Sequence, residues 1–287
     1  MASMRDIKRR KESISSTSQI TKAMKLVSTV KLQKAKGRAE DAKPYFAKMY
    51  ETVNSALANS GQLDHPCLRV PEEGEEVRKG VILISSNRGL AGGYNANVAK
   101  LVTKGDFTPE DTVIFPVGRK GQELIHSAGY ECLGDYAEAM NDPLFQDAVE
   151  IGKAAFHAFE QGEIQELYLA YTIFENTVKH VPTLIKLLPV EPVSKQEESG
   201  ARALMNYEPS EEVTLDYIIP LYVNSLIYGA LIEAVASENG ARMQAMDNAT
   251  SNAEDMISSL ELQYNRARQS SITQELTEIV AGASAIE

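Results

Sequence analysis

A chain of 287 residues with 43% hydrophobic and 7% aromatic side chains is long enough for one large domain or two small ones around a real core. Two cysteines without C-x-x-C spacing, Cys67 and Cys132, and four scattered histidines, His65, His126, His157 and His180, argue against a disulfide framework or a zinc site and suit a reducing compartment. A net charge of -11 argues against nucleic acid as the general partner, but residues 1–36 hold ten Lys or Arg against Asp6 and Glu12, a local +8 that leaves -19 for the remainder.

The first element is read as one long helix. From Ser3 to Lys43 there is no proline and a single glycine, Gly37. Its apolar positions are sparse: Ile7 and Ile14 lie one heptad apart, then Ile20, Met24 and Val27 step by four and three on a shifted face. Pro44 is expected to kink or break this helix before the helical pattern resumes over AKPYFAKMYETVNSALA. No stretch approaches the ~18 consecutive apolar residues of a membrane span, and no apolar signal core follows Arg5 to Lys11, so the chain is expected to stay where it is made.

The middle alternates: strand Gly80–Ser86, helix 96–102, strand Thr112–Val117, helix 119–128, helix 143–161, then strands Glu166–Phe174 and Leu184–Val190. That order predicts a small, mostly parallel, doubly wound α/β domain. Hydrophilic, irregular segments, Gly61–Lys79 and Ser194–Glu212, bound it on either side, so the domains fall at about 1–60, 76–193 and 210–287.

After Pro220 no proline follows, and a four–three ladder places apolar residues at ten of fourteen positions: Leu221, Ser225, Tyr228, Ile232, Val235, Asn239, Arg242, Met246, Ala249, Ala253, Met256, Leu260, Gln263 and Ala267. This is a coiled-coil seam, and a helix of that length, roughly 95 Å at 1.5 Å per residue, is expected to protrude from a globular body. Residues 221–287 carry nine acidic residues, three arginines and no lysine, a net -6. The +8 N-terminal helix complements that sign, so the two termini are expected to pair as an antiparallel coil.

The stretch Ser85–Asn95, SSNRGLAGGYN, follows a strand and precedes a helix, where many enzymes hold phosphate. Gly89–Gly93 lacks the G-x-G-x-x-G spacing, and Tyr94 stands where a P-loop has lysine. The glycines therefore serve a tight turn, with Asn95 as the expected helix cap and Arg88 as a surface residue. There is no G-x-S-x-G elbow, and the pairs Glu197–Glu198, Glu211–Glu212 and Glu254–Asp255 look like solvated faces, so no active site, cofactor or metal is expected. A nucleotide-binding enzyme and a nucleic-acid-binding coil are the alternatives, the second weakened by the absence of any aromatic residue before Tyr45. The end, residues 278–287, is nearly uncharged and suits an apolar socket in another protein.

Three stretches together resemble the gamma subunit of F-type ATP synthases: MRDIKRR with SQITKAMKLVSTVKLQKA, the turn SSNRGLAGGYN, and SLIYGALIEAVASENGARMQAMDNATSNAEDMISSLELQYNRARQSSITQELTEIVAGASA. The resemblance implies a two-helix shaft inside a hexamer of alpha and beta subunits, one copy per complex, with the middle domain standing on the membrane c-ring and carrying an epsilon subunit. It implies that Arg268, Gln269, Thr273 and Glu275 touch beta-subunit loops, that Arg242 makes a further polar contact lower down, and that Met24, between Lys22 and Lys25, faces an acidic beta lever. It places Tyr207 and Glu208 toward the membrane ring. No regulatory cysteine insertion of the chloroplast kind and no transit peptide are seen, which favours the cytoplasmic face of a bacterial plasma membrane.

Overall fold

The computed structural model describes residues 4–59, 65–71, 77–190 and 210–284. Its elements are α1 (Met4–Asn59), β1 (Lys79–Ile84), α2 (Tyr94–Thr103), β2 (Thr112–Val117), α3 (Arg119–Ser127), β3 (Glu131–Cys132), α4 (Phe145–Glu160), β4 (Glu166–Phe174), β5 (His180–Leu188) and α5 (Glu211–Ser284). Contacts divide the chain into two units, Thr29–Ala241 and, separately, Met1–Ser28 with Arg242–Glu287.

In the first unit a five-stranded sheet has the order β3-β2-β1-β4-β5. β1 pairs in parallel with β2 and β4, β2 pairs in parallel with β3, and only β5 runs antiparallel. Beyond Lys79 and Thr112 the central strands β1 and β2 are apolar because both faces are covered. On one face Val81 and Leu83 meet Val98 and Val102 of α2 and Ile125 of α3. On the other, Ile82, Ile84 and Leu169 pack with Ile151 of α4, Val53 of α1 and a row from α5, Leu215, Ile219, Val223 and Ile227. The doubly wound α/β reading is therefore observed.

Both long helices run through a proline, and β5 starts earlier than expected. α1 passes through Pro44 without ending. Val53 and Ala56 beyond it are buried and Phe46 stacks 6.2 Å from Tyr228, so packing outweighs the roughly 3 kcal/mol cost of an interior proline. α5 begins at Glu211, ahead of Pro220, for the same reason: Leu215, Ile219 and Val223 are all fully buried. β5 starts at His180 because Pro182, opposite Thr172, lies in an edge strand, where a missing donor is tolerated. By length and composition a window within Val213–Ala281 is apolar enough to cross a bilayer, and 44% of that window is buried inside the protein.

Between β4 and β5 the mostly buried Glu166 accepts hydrogen bonds from Lys186 Nζ and from the Tyr168 hydroxyl, both at 2.8 Å. Burial works to raise the Glu166 carboxyl, but these bonds and the charges of Lys186 and Lys79 outweigh it and hold it below its usual 4.5. A carboxylate lowered in the folded state contributes stability that is present above its unfolded value and lost as pH falls through the folded one. Lys186→Met is thus expected to cost about 1 to 3 kcal/mol at neutral pH. Urea melts should show that difference shrinking below about pH 4 as the carboxyl protonates in both states.

The second unit pairs the start of α1 with the end of α5. Lys11 Nζ contacts Glu261 Oε1 and Lys25 Nζ contacts Asp247 Oδ1, both at 2.6 Å, and Thr21 Oγ1 lies 2.7 Å from Thr250 Oγ1. Position numbers in each pair rise on one helix as they fall on the other, so the helices are antiparallel and the termini pair as their charges predict. Each exposed ion pair is worth only ~0.2 to 1 kcal/mol, so burial along the seam carries most of the association.

The seam itself differs from the sequence reading. On α1 the buried positions keep a strict heptad, Ile7, Thr21 and Ser28 with Ile14 partly covered, while Ile20 and Val27 are each 58% exposed. On α5 the ladder holds to Met246 and keeps Ala253 and Leu260, but its alternate positions move on by one residue, from Ala249 to Thr250, from Met256 to Ile257 and from Gln263 to Tyr264, leaving Met256 exposed. A 3.6-residue turn drifts against a strict 3.5 repeat, and one added step of four restores the phase.

Candidate functional site: the closed crevice and the distal end of α5

The glycine-rich turn sits where the sheet order reverses, between the C-terminal ends of β1 and β4, the place at which open α/β sheets take ligands. Here the chain fills that place. Tyr94, 5% exposed, donates its hydroxyl proton to Ala234 O of α5 at 3.2 Å, and Ser237 Oγ donates to Thr172 O at the end of β4 at 2.9 Å. Asn95 is not the helix cap: Gly93 takes that position with no side-chain bond, and Asn95 Oδ1 instead accepts from the Ser86 amide at 2.9 Å. A cap must precede the helix, whereas Asn95 lies inside its first turn and reaches back to tie the turn to β1.

Neighbouring glycines permit close packing as expected. Gly118 has φ 101°, and a Cβ there would fall 2.3 Å from Ser85 O. Ser85 is fully buried and its Oγ accepts from the Gly121 amide at 2.8 Å. Amides beside the turn are thus engaged with side chains of the protein itself: Ser86 with Asn95, Gly121 with Ser85 and Arg119 with Asn87.

The other candidate residues lie on the two long helices. In the coil register, Met4 is level with about Ala267, so α5 runs on past the first described residue of α1. On this stretch Ile272, Leu276, Ile279 and Val280 are 49 to 68% exposed and, at steps of four, three and one, form a single stripe. At 100° per residue, Arg268 and Glu275 fall along one edge of that stripe and Gln269 and Thr273 along the other. Thr273 Oγ1 donates to Gln269 O at 2.9 Å, keeping that polar edge close to the helix backbone. The four polar residues are those the resemblance singled out; the stripe formed by the spacing of Ile272, Leu276 and Ile279 had not been read from the sequence, and the end expected to be apolar, 278–287, lies partly outside the described residues.

Met24 is half-buried on α1, beside Lys25, whose ammonium reaches Asp247. Level with about position 248 of α5, it is roughly 30 Å along the coil from Arg268, at 1.5 Å per residue. Arg242 is only 8% exposed and lies a further ~9 Å along, so it is not brought together with the distal set. Tyr207 and Glu208 lie outside the described residues.

An α/β body whose crevice is closed by its own helix, carried on the same two helices that pair as an antiparallel coil, defines a stalk-type subunit. The family model described as ATP synthase matches residues 3–286. The ATP synthase gamma chain of Lachnoclostridium phytofermentans is 63% identical over the full length of both chains. The sodium-ion-specific ATP synthase gamma chain of Acetobacterium woodii is 40% identical, covering 99% of this chain and 98% of that one. Among solved structures, a chain of the Euglena gracilis mitochondrial ATP synthase superposes with a TM-score of 0.65 at 20% identity, covering 99% of this chain and 94% of that one. This chain belongs to the ATP synthase gamma-chain family. It is a non-catalytic subunit of the central stalk.

Proposed function

We propose that the chain is the rotor shaft of an F-type ATP synthase and couples ion-driven rotation of a membrane c-ring to conformational change in catalytic beta subunits. The observation that carries this is the distal end of α5, an exposed apolar stripe bordered on both edges by the four residues implied to touch beta-subunit loops. A stripe of that kind on a lone helix suits a close-fitting sleeve, and the polar borders supply contacts that differ with rotary angle. A single asymmetric shaft within a threefold ring presses differently on three otherwise identical subunits, so each catalytic site is biased toward a different affinity, and rotation permutes the three.

In this reading one copy serves each alpha–beta hexamer, residues 76–193 carry an epsilon subunit, and Tyr207 and Glu208 approach the ring. Residues 1–60 and 210–287 form the shaft, and the complex stands on the cytoplasmic face of a bacterial plasma membrane. The test separates shaft from enzyme. A tagged copy expressed in its own cells is expected to bring alpha and beta subunits with it, while calorimetry on the isolated chain shows no binding of ATP or NAD. Micromolar nucleotide binding by the lone chain, or its recovery without alpha and beta, would overturn the proposal.

A further inference from the structure

The coil holds one feature that its stability does not call for. Thr21 and Thr250 are each 8% exposed and face each other in the seam with their hydroxyl oxygens 2.7 Å apart. Thr21 Oγ1 is also 3.0 Å from Ser18 O, and Thr250 Oγ1 is 2.8 Å from Met246 O. Two hydroxyls have two protons. One crosses the seam and the other goes to a backbone carbonyl of its own helix, so both buried groups are satisfied in either arrangement.

Near the hydroxyl pair the seam is made partly of small residues, its large side chains, Ile7, Ile14, Met246, Ile257 and Leu260, lying toward its ends. Ser18, Ser28 and Ala253 are small and offer no knob that fits a single hole. The ion pairs discriminate only in part. Sliding α5 by one heptad in one direction sets Lys11 opposite Glu254 and Lys25 opposite Gly240, and sliding it the other way sets Lys25 opposite Glu254 but Lys11 opposite Arg268, so each slipped register still retains one ion pair. The hydroxyl pair responds differently. In one slipped register Thr21 faces Met243 and Thr250 faces Ile14, so no hydroxyl pair forms across the seam; in the other Thr250 meets the Ser28 hydroxyl but Thr21 faces Ile257 and keeps only its own-helix carbonyl.

We propose that the Thr21–Thr250 hydroxyl pair sets the register of the coil, positioning the distal stripe and its polar borders along α1. A slip of one heptad moves one helix by roughly 10 Å along the other, enough to carry Gln269 and Thr273 to a different height. Thr21 and Thr250 are positioning residues, acting through alignment and touching no partner themselves. The same role is known for a single buried polar residue in coiled coils, where specificity is gained at some cost in stability.

The test uses the full chain with reporter cysteines in three pairs: 14 with 257 for the observed register, and 14 with 264 or 7 with 257 for the two slipped ones. Cys132 is replaced by serine; Cys67 stays, because burial, then the charges of Glu160 and Asp216, push its thiol up to about 12 and leave it protonated and inert. Under mild oxidation with copper phenanthroline, the parent and the Thr21→Ser/Thr250→Ser variant are expected to cross-link only the first pair. The Thr21→Val/Thr250→Val variant is expected to melt no lower than the parent, since both partners become apolar at similar volume, yet to raise slipped-pair yield at least tenfold. Three results would each overturn the proposal: valines that keep only the observed register, valines that unfold the coil, or serines that slip as readily as valines.

Discussion

Leu276→Asp is expected to abolish stable assembly with alpha and beta subunits while leaving the isolated chain folded. Leu276 is 58% exposed at the centre of the stripe formed with Ile272, Ile279 and Val280, and it belongs to neither of the two buried cores. The free chain therefore loses no packing, and its melting temperature should stay within a degree or two of the parent's. In a close-fitting apolar sleeve the same carboxylate is stripped of water without a partner, a penalty of several kcal/mol that corresponds to a loss of assembly well beyond tenfold. Leu276→Met keeps the apolar surface and serves as the control. Size-exclusion yields of reconstituted complex measure the effect, and an aspartate variant that assembles like the methionine variant would show that the stripe meets water or polar groups.

That stripe also shows how the sequence could be read and where it could not. The alternation of apolar runs and helical patterns was enough for the doubly wound sheet, because both faces of β1 and β2 are buried and leave continuous apolar strings such as Val81–Ile84. The pairing of the termini was legible from opposite charge, and Lys11–Glu261 and Lys25–Asp247 are its realisation. The seam was only half legible. Ranking positions by hydrophobicity selected Ile20 and Val27, yet the heptad phase set by Ile7 and Ile14 buries Thr21 and Ser28 and leaves those apolar residues outward. A coil that works inside a partner must be apolar on its outside too, so composition alone does not separate seam from outer face. For a related reason neither proline ends its helix: propensity is local, whereas the burial that overrides it at Pro44 and Pro220 comes from residues distant in sequence.

The geometry of the crevice was not legible in the sequence. Missing phosphate-binding spacings in Gly89–Gly93 argued against a nucleotide site; the contacts of α5 there, Tyr94 to Ala234 and Ser237 to Thr172, join residues 140 and 65 positions apart and had no local signal. Asn95 illustrates the same limit. An asparagine at the start of a helix reads as a cap, but the turn it sits in is fixed by Ser86, and the side chain serves that neighbour first.

Met24→Lys is expected to uncouple ATP hydrolysis from ion pumping more than it lowers hydrolysis itself. Met24 is half-buried on α1, next to exposed Lys22 and to Lys25, whose ammonium already reaches Asp247 across the coil at 2.6 Å. Leu26 and Val27, 64% and 58% exposed, make the adjoining surface apolar. A third ammonium added here has little chance of a second acid on the coil and points its charge at whatever encloses the shaft. Against an acidic lever on a beta subunit it gains a charge-assisted hydrogen bond worth about 1.5 to 3 kcal/mol, and does so at one rotary angle only. A bond made at one angle and broken at the next raises the barrier to turning by up to that amount, about ten- to a hundredfold in rate at the affected step. Hydrolysis continues because the reacting groups are on other chains, while work delivered to the ring is lost whenever the shaft lags. The measurement is ATP-driven ion uptake by vesicles beside the ATPase rate of the same preparation, with Met24→Leu as the control for shape. Lysine is expected to lower the ratio of pumping to hydrolysis several-fold and leucine to leave it unchanged; equal loss of both activities, or equal effects of lysine and leucine, would make Met24 a packing residue of the coil and not a coupling contact.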